Sequence, residues 1–250
     1  MSGHSKWSSI KHKKAKMDAQ RGKLFARMIR EIAVAARRGG GSPDANPRLR
    51  AAMQTAKSVN MPSENITKAI KRGTGELPGV NYEECVYEGY GPGGVAMMVE
   101  VVTDNKNRIV SELKKIFGKC GGHLGASGCV SWLFHKKGLI TVDRGNLSED
   151  ELMEIALDAG AEDLRADGEP YVITSEPQNF EGLKATLSEK GIETTYAELT
   201  LVPENTVSVE GKTAEQVLRL AEALEECDDT QHVYANFDVP DEILEELTSH

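Results

Sequence analysis

Between residues 138 and 201, apolar positions follow strand and helix periods in turn: strand 138–143, helix 148–158, strand 161–166, strand 170–175, helix 179–190 and strand 193–201. This βαββαβ order admits few folds. Right-handed crossovers lay both helices on one face of a four-stranded antiparallel sheet, the ferredoxin-like arrangement. The flanking segments contain the parts of a second such unit. Strand 95–103, helix 105–117 and strand 130–135 precede the first one, and strand 206–210, helix 213–227 and strand 231–237 follow it. The expectation is a multidomain α+β chain with a domain over 137–203 inserted into a discontinuous domain over 80–136 and 204–240. Glu84 to Tyr90 and Val95 to Thr103 read as a hairpin about Gly91-Pro-Gly-Gly94. Asp104 is the expected cap of the helix that comes next.

Residues 1–75 differ in both charge and period. They hold 17 lysines and arginines against 4 aspartates and glutamates, whereas the other 175 residues hold 13 against 35. A chain of net charge -9 therefore has a basic head and an acidic body, and nucleic acid is the commonest partner of such a head. On a helix over 16–38, Leu24, Phe25, Met28, Ile29, Ile32, Ala35 and Ala36 share one arc. Opposite them lie Lys16, Lys23, Arg27, Arg30, Arg37 and Arg38. Gly39-Gly-Gly41 ends this helix. Asn46-Pro47 caps a second helix carrying Leu49, Met53 and Ala56. A third helix begins near Pro62-Ser63 and ends at Gly73, with Ile66, Ala69 and Ile70 inward and Lys68, Lys71 and Arg72 outward. Residues 1–75 thus read as a basic tail and three-helix bundle, and Gly73-Thr-Gly-Glu-Leu-Pro-Gly79 as a linker.

The tail packs Lys6, Lys11, Lys13, Lys14 and Lys16 too densely for a core. Phosphate would neutralise them, each contact releasing condensed counterions and making affinity salt-dependent. Trp7 either stacks on an unpaired base or anchors the tail on the bundle. The candidate nucleic-acid contacts are Lys6, Lys11, Lys13, Lys14, Lys16, Lys23, Arg27, Arg30, Arg37, Arg38, Lys68, Lys71 and Arg72.

Several function classes find no support. No apolar run approaches the roughly 20 residues of a membrane span, and no apolar segment follows the basic N-terminus as in a secretory signal. Cys85, Cys120, Cys129 and Cys227 form no CxxC pair, which fits a reducing cytoplasm. His4 and His12 lack partners at metal-ligand spacing, and Ser8-Ser-Ile-Lys11 matches a nucleophile motif only within a lysine-rich run. Glycine-rich 118–128 follows a helix and precedes a strand, the reverse of a phosphate-binding loop, so it reads as a helix end and turn. No catalytic residue, cofactor, metal or small-molecule substrate is expected. Tyr87, Tyr90, Trp132 and Phe134 read as strand core, since no segment matches the aromatic RNA-binding pattern. The acidic body suits a protein partner better than phosphate, apart from Lys114, Lys115, Lys119, Lys136 and Lys137.

Gly3-His-Ser-Lys-Trp7, Ile10-Lys-His-Lys-Lys-Ala15, Arg21-Gly-Lys-Leu-Phe25 and Ile29-Arg-Glu-Ile32 resemble the start of the YebC family. Tyr87-Glu-Gly-Tyr-Gly-Pro-Gly-Gly94, Thr103-Asp-Asn-Lys-Asn-Arg108, Cys120-Gly-Gly-His-Leu-Gly125 and Gly138-Leu-Ile140 continue the likeness in order. That family comprises bacterial proteins described as transcriptional regulators, related to a mitochondrial translational activator of cytochrome c oxidase. The resemblance implies a helical domain with two α+β domains, and a cytoplasmic, non-enzymatic, DNA-binding regulator of transcription. Two other readings stand beside it: a ribosome-associated translation factor meeting ribosomal RNA, and a protein-interaction adaptor.

Overall fold

A computed structural model describes residues 18–145, 148–166 and 170–239. The chain begins with α1 (Asp18–Gly39), α2 (Pro47–Ser58), α3 (Ser63–Gly73), β1 (Glu83–Tyr90), β2 (Ala96–Thr103), α4 (Lys106–Lys119) and β3 (His123–Leu124). It continues through β4 (Phe134–Val142), α5 (Glu149–Asp158), β5 (Ala161–Arg165), β6 (Tyr171–Ser175), α6 (Phe180–Glu189) and β7 (Thr194–Pro203). Last come β8 (Val207–Ser208), α7 (Gly211–Glu226), β9 (Thr230–Ala235) and β10 (Phe237–Asp238). The described residues divide into two compact units, 18–129 with 210–235 and 130–209 with 236–239. No helix among them is long and apolar enough to cross a membrane.

In the first unit, α1, α2 and α3 pack around Ile32, Ala35, Leu49, Ala56 and Ala69. Asn46 ties α1 to α2. Its Nδ2 donates to the carbonyls of Ala35 and Gly40 at 2.8 and 2.9 Å, while its Oδ1 accepts from the Leu49 N–H at 3.0 Å. A cap of this kind contributes about 1 kcal/mol. Gly73 brings the end of α3 onto α1, because a Cβ there would stand 2.3 Å from the Ala33 carbonyl oxygen. Ala33 and Val34, which lie outside the apolar arc of α1, are buried as well.

The same unit contains an antiparallel sheet of order β3-β1-β2-β9. The expected hairpin is present, with Glu83 opposite Thr103 and Tyr90 opposite Ala96. Apart from half-buried Glu100, every residue of the central strand β2 is buried. Ile109, Leu113 and Phe117 of α4 and Val217, Leu220 and Leu224 of α7 are buried core residues. Gly89 admits the Phe117 ring, since a Cβ there would lie 2.9 Å from it. The cap of α4 is Asn105 rather than Asp104. Asn105 Oδ1 accepts from the Arg108 N–H at 3.0 Å, and Asp104 instead takes Arg108 Nη2 at 2.8 Å. Residues 118–128 hold the end of α4, a turn with Gly121 at φ 80° and the short β3.

The second unit holds a sheet of order β5-β6-β4-β7, antiparallel throughout, with α5 and α6 on its core of Ile140, Leu152, Ile173, Phe180 and Leu183. That is the ferredoxin-like strand order expected of this segment. A capping box at Ser148 and Glu151 starts α5.

Two strand assignments outside residues 138–201 differ from expectation. Residues 131–133 form a 3-10 turn, and Phe134 begins β4, which runs unbroken to Val142 along β7. Val207–Ser208 pairs in parallel with Phe237–Asp238 rather than joining the first sheet. The two edges of β2 are taken by β1 and β9, and the β1–β2 hairpin closes locally at a low loop cost. Trp132, expected in a core, is 64 % exposed on the 3-10 turn.

Candidate nucleic-acid interface

The C-terminal end of α7 reads Leu224-Glu-Glu-Cys-Asp-Asp229, with no basic residue in its last turn. A helix C-terminus already carries partial negative charge, so carboxylates there are unfavourable. Helix α1 supplies the missing cations. Lys23 Nζ donates to the Glu226 carbonyl at 3.4 Å, Arg27 donates to the Glu225 carbonyl, and Arg30 donates to the Asp228 carbonyl. Arg30 Nη2 also lies 3.4 Å from Asp229 Oδ1. Asp229, only 3 % exposed, joins three elements, because its Oδ2 accepts the Thr103 hydroxyl at 2.7 Å and Arg108 Nη2 at 2.6 Å.

The environment of this junction is low in water. Burial lowers the pKa of Arg27 below the ordinary guanidinium value, with the nearby Glu225 acting in the opposite direction. Burial likewise pushes up the thiol of Cys227, which is 4 % exposed at the cap of α7. Lys23, Arg27 and Arg30, expected to meet phosphate, thus hold α1 against the end of α7.

Other cations of the bundle have carboxylate partners. Arg48 binds Glu31 through Nε and Nη2 at 2.7 and 2.9 Å and reaches Glu84 at 2.6 Å, and these hydrogen bonds, Glu31 first, raise its pKa despite partial burial. Arg38 pairs with Glu84, and Lys68 pairs with Glu64 at 2.6 Å one turn away. Arg37, Lys71 and Arg72 differ: among the described residues, none of the three has a carboxylate within 4 Å. Arg37 Nη1 donates to the Tyr82 carbonyl at 3.2 Å, and all three side chains are exposed. Lys6, Lys11, Lys13, Lys14 and Lys16 lie outside the described residues.

Arg37 and Arg72 come together because Gly73 seats the end of α3 on α1. They line a cleft of about 200 Å³ with Thr74, Val80, Asn81 and Tyr82. Residues 80–82 had no expected role, since they follow a glycine- and proline-containing linker and show no period. The contact of α1 with α7 also went unread, although carboxylates at the wrong end of a helix signal that cations must come from elsewhere. In the acidic body, Lys137 is held by Glu162 and Glu176 at 2.8 and 2.5 Å, while Lys114, Lys115, Lys119 and Lys136 are exposed.

Two family profiles cover most of the chain. One, described as the TACO1/YebC protein N-terminal domain, matches residues 5–76, and the other, described as the TACO1/YebC second and third domain, matches 82–237. A protein of Desulfatibacillum aliphaticivorans is 56% identical over 98% of this chain and all of its own length. One from Dictyoglomus thermophilum is 57% identical over 99% of this chain and again its full length. Both carry the name "Probable transcriptional regulatory protein". The crystal structure of a conserved hypothetical protein from Aquifex aeolicus superposes with a TM-score of 0.78 at 52% identity, covering 92% of this chain and 95% of that one.

Proposed function

This chain belongs to the TACO1/YebC family, and from that premise we propose that it regulates gene expression by gripping nucleic-acid phosphates with its helical domain. The observation that carries this reading is the exposed trio Arg37, Lys71 and Arg72, whose charges no carboxylate offsets among the described residues. Arg38 and Lys68 flank them, each paired with a carboxylate, and the lysines of the basic tail add further contacts. Lys23, Arg27 and Arg30 take the structural part. Phosphate contact needs no chemistry beyond placed cations and supplies affinity independent of sequence. The names of its relatives favour the control of transcription, and DNA is the target that this reading takes.

The test is sedimentation and DNA retention of the full chain from lysate, at low and moderate salt, with and without ribonuclease. The reading predicts that a subset of chromosomal fragments stays with the protein and is released as salt rises. Ribonuclease-sensitive migration with ribosomal particles would replace DNA by ribosomal RNA as the target. Association insensitive to both ribonuclease and salt would overturn phosphate binding altogether.

A further inference from the structure

The cleft beside Arg37 has something the exposed lysines of the bundle lack, namely walls. Val34, 3 % exposed, lines it from α1, and Tyr82, half-buried, lines it from the segment before β1. The Arg37 hydrogen bond to the Tyr82 carbonyl ties those two walls together. The aliphatic stem of Arg72 lies along the linker at Gly79, where a Cβ would stand 3.2 to 3.4 Å from it. Arg37, Arg72 and Tyr82 therefore line the same opening. The nearby carboxylate, Glu76, is engaged by the Thr74 hydroxyl at 2.9 Å and is outnumbered by Arg37, Lys71 and Arg72.

Size and chemistry narrow the occupant. A cleft of about 200 Å³ is smaller than the roughly 300–1,000 Å³ pockets of drug-sized ligands. It nevertheless exceeds several times the ~30 Å³ share of one water. Guanidinium forks match phosphate oxygens, and they also stack on flat rings. A cationic groove with an aromatic platform is the arrangement that holds single-stranded nucleic acid.

We propose that the cleft lined by Arg37, Arg72 and Tyr82 seats one unpaired nucleotide of a nucleic-acid strand, its base against Tyr82 and its phosphate on the two guanidiniums. The proposal rests on the nucleic-acid reading above and adds to it a preference for an unpaired position.

The full chain is titrated with a fluorescein-labelled single-stranded oligonucleotide, longer than the about 4–16 nucleotides of known single-strand sites, and with its blunt duplex. Tyr82→Leu is expected to weaken the single strand about 10-fold, the scale of losing one base stack, and the duplex less than about two-fold. Tyr82→Phe keeps native affinity. Arg37→Gln with Arg72→Gln, which removes the one seated phosphate, flattens the single-strand salt slope by about 0.7. Equal losses on both forms, no loss with Tyr82→Leu, or displacement of the strand by micromolar adenosine monophosphate would overturn the seat. Native protein that binds neither form would overturn the nucleic-acid reading itself. Should Tyr82→Leu lower the thermal melt, photocrosslinking of an iodouracil-substituted strand to the native chain decides. Adducts on the peptide carrying Tyr82 support the seat, and adducts confined elsewhere contradict it.

Discussion

Arg27 and Arg37 sit on the same helix with the same side chain, yet they meet opposite surroundings. Arg27 is turned onto the acidic end of α7, loses most of its water and donates to the Glu225 carbonyl. Arg37 stays exposed at the other end of the helix, with a backbone carbonyl for company and a cleft beside it. A basic helix face is therefore two surfaces. One half neutralises the molecule's own negative charge, and the other keeps its charge available. What separates them is the position of α7, which no property of α1 encodes.

Asp229 is the place where breaking the first surface costs most. Asp229→Ala removes the carboxylate that engages Arg30, Arg108 and Thr103 and should destabilise the first unit by about 3 kcal/mol, read from its urea midpoint. Arg37→Ala in the same assay should stay within about 0.5 kcal/mol, as exposed substitutions do. Arg27→Met keeps the stem but removes the donor to α7, with an expected loss of about 1–2 kcal/mol in the same midpoint. A shift as small as that of Arg37→Ala would erase the distinction between the two ends of α1.

Arg48 tests an intermediate case, a cation paired at the bundle surface. A double-mutant cycle of Arg48→Met with Glu84→Gln should give a coupling of about 1 kcal/mol, the scale for partly exposed pairs. The smallest effect is one of pH. Because burial raises the Cys227 thiol, the unfolded chain releases a proton above about pH 8.5 that the folded chain retains. Stability should fall as pH rises from there toward the folded value. Cys227→Ala should remove that slope while leaving the Arg37 side of the bundle unaffected.

Local chemistry made much of the fold legible. Asn46 before Pro47 announced a cap, Gly91-Pro-Gly-Gly94 announced a hairpin, and the alternating periods of 138–201 announced a ferredoxin-like sheet. The strands expected over 130–135 and 138–143 are one strand from Phe134 to Val142. In the fold, Lys137 is satisfied by Glu162 and Glu176, and Gly138 makes room for Phe180, where a Cβ would lie 2.6 Å away. The contact of α1 with α7 was beyond any local pattern, since Arg27 and its partner are 198 positions apart. Helical periodicity placed the cations of α1 on one face but says nothing about what that face meets. Tyr82 went unnoticed for the same reason, because its significance arises only when Gly73 brings α3 onto α1.

The most direct measurement is the salt dependence of duplex DNA binding by three proteins: the native chain, Arg37→Gln/Arg72→Gln and Arg27→Gln/Arg30→Gln. Each lost phosphate contact flattens the slope of log affinity against log salt by about 0.9. The division of the basic face predicts a slope flatter by about 1.8 for the first pair. For the second pair it predicts an unchanged slope with a lowered unfolding midpoint. A flattened slope for Arg27→Gln/Arg30→Gln, with the Arg37 and Arg72 pair behaving as native, would contradict it.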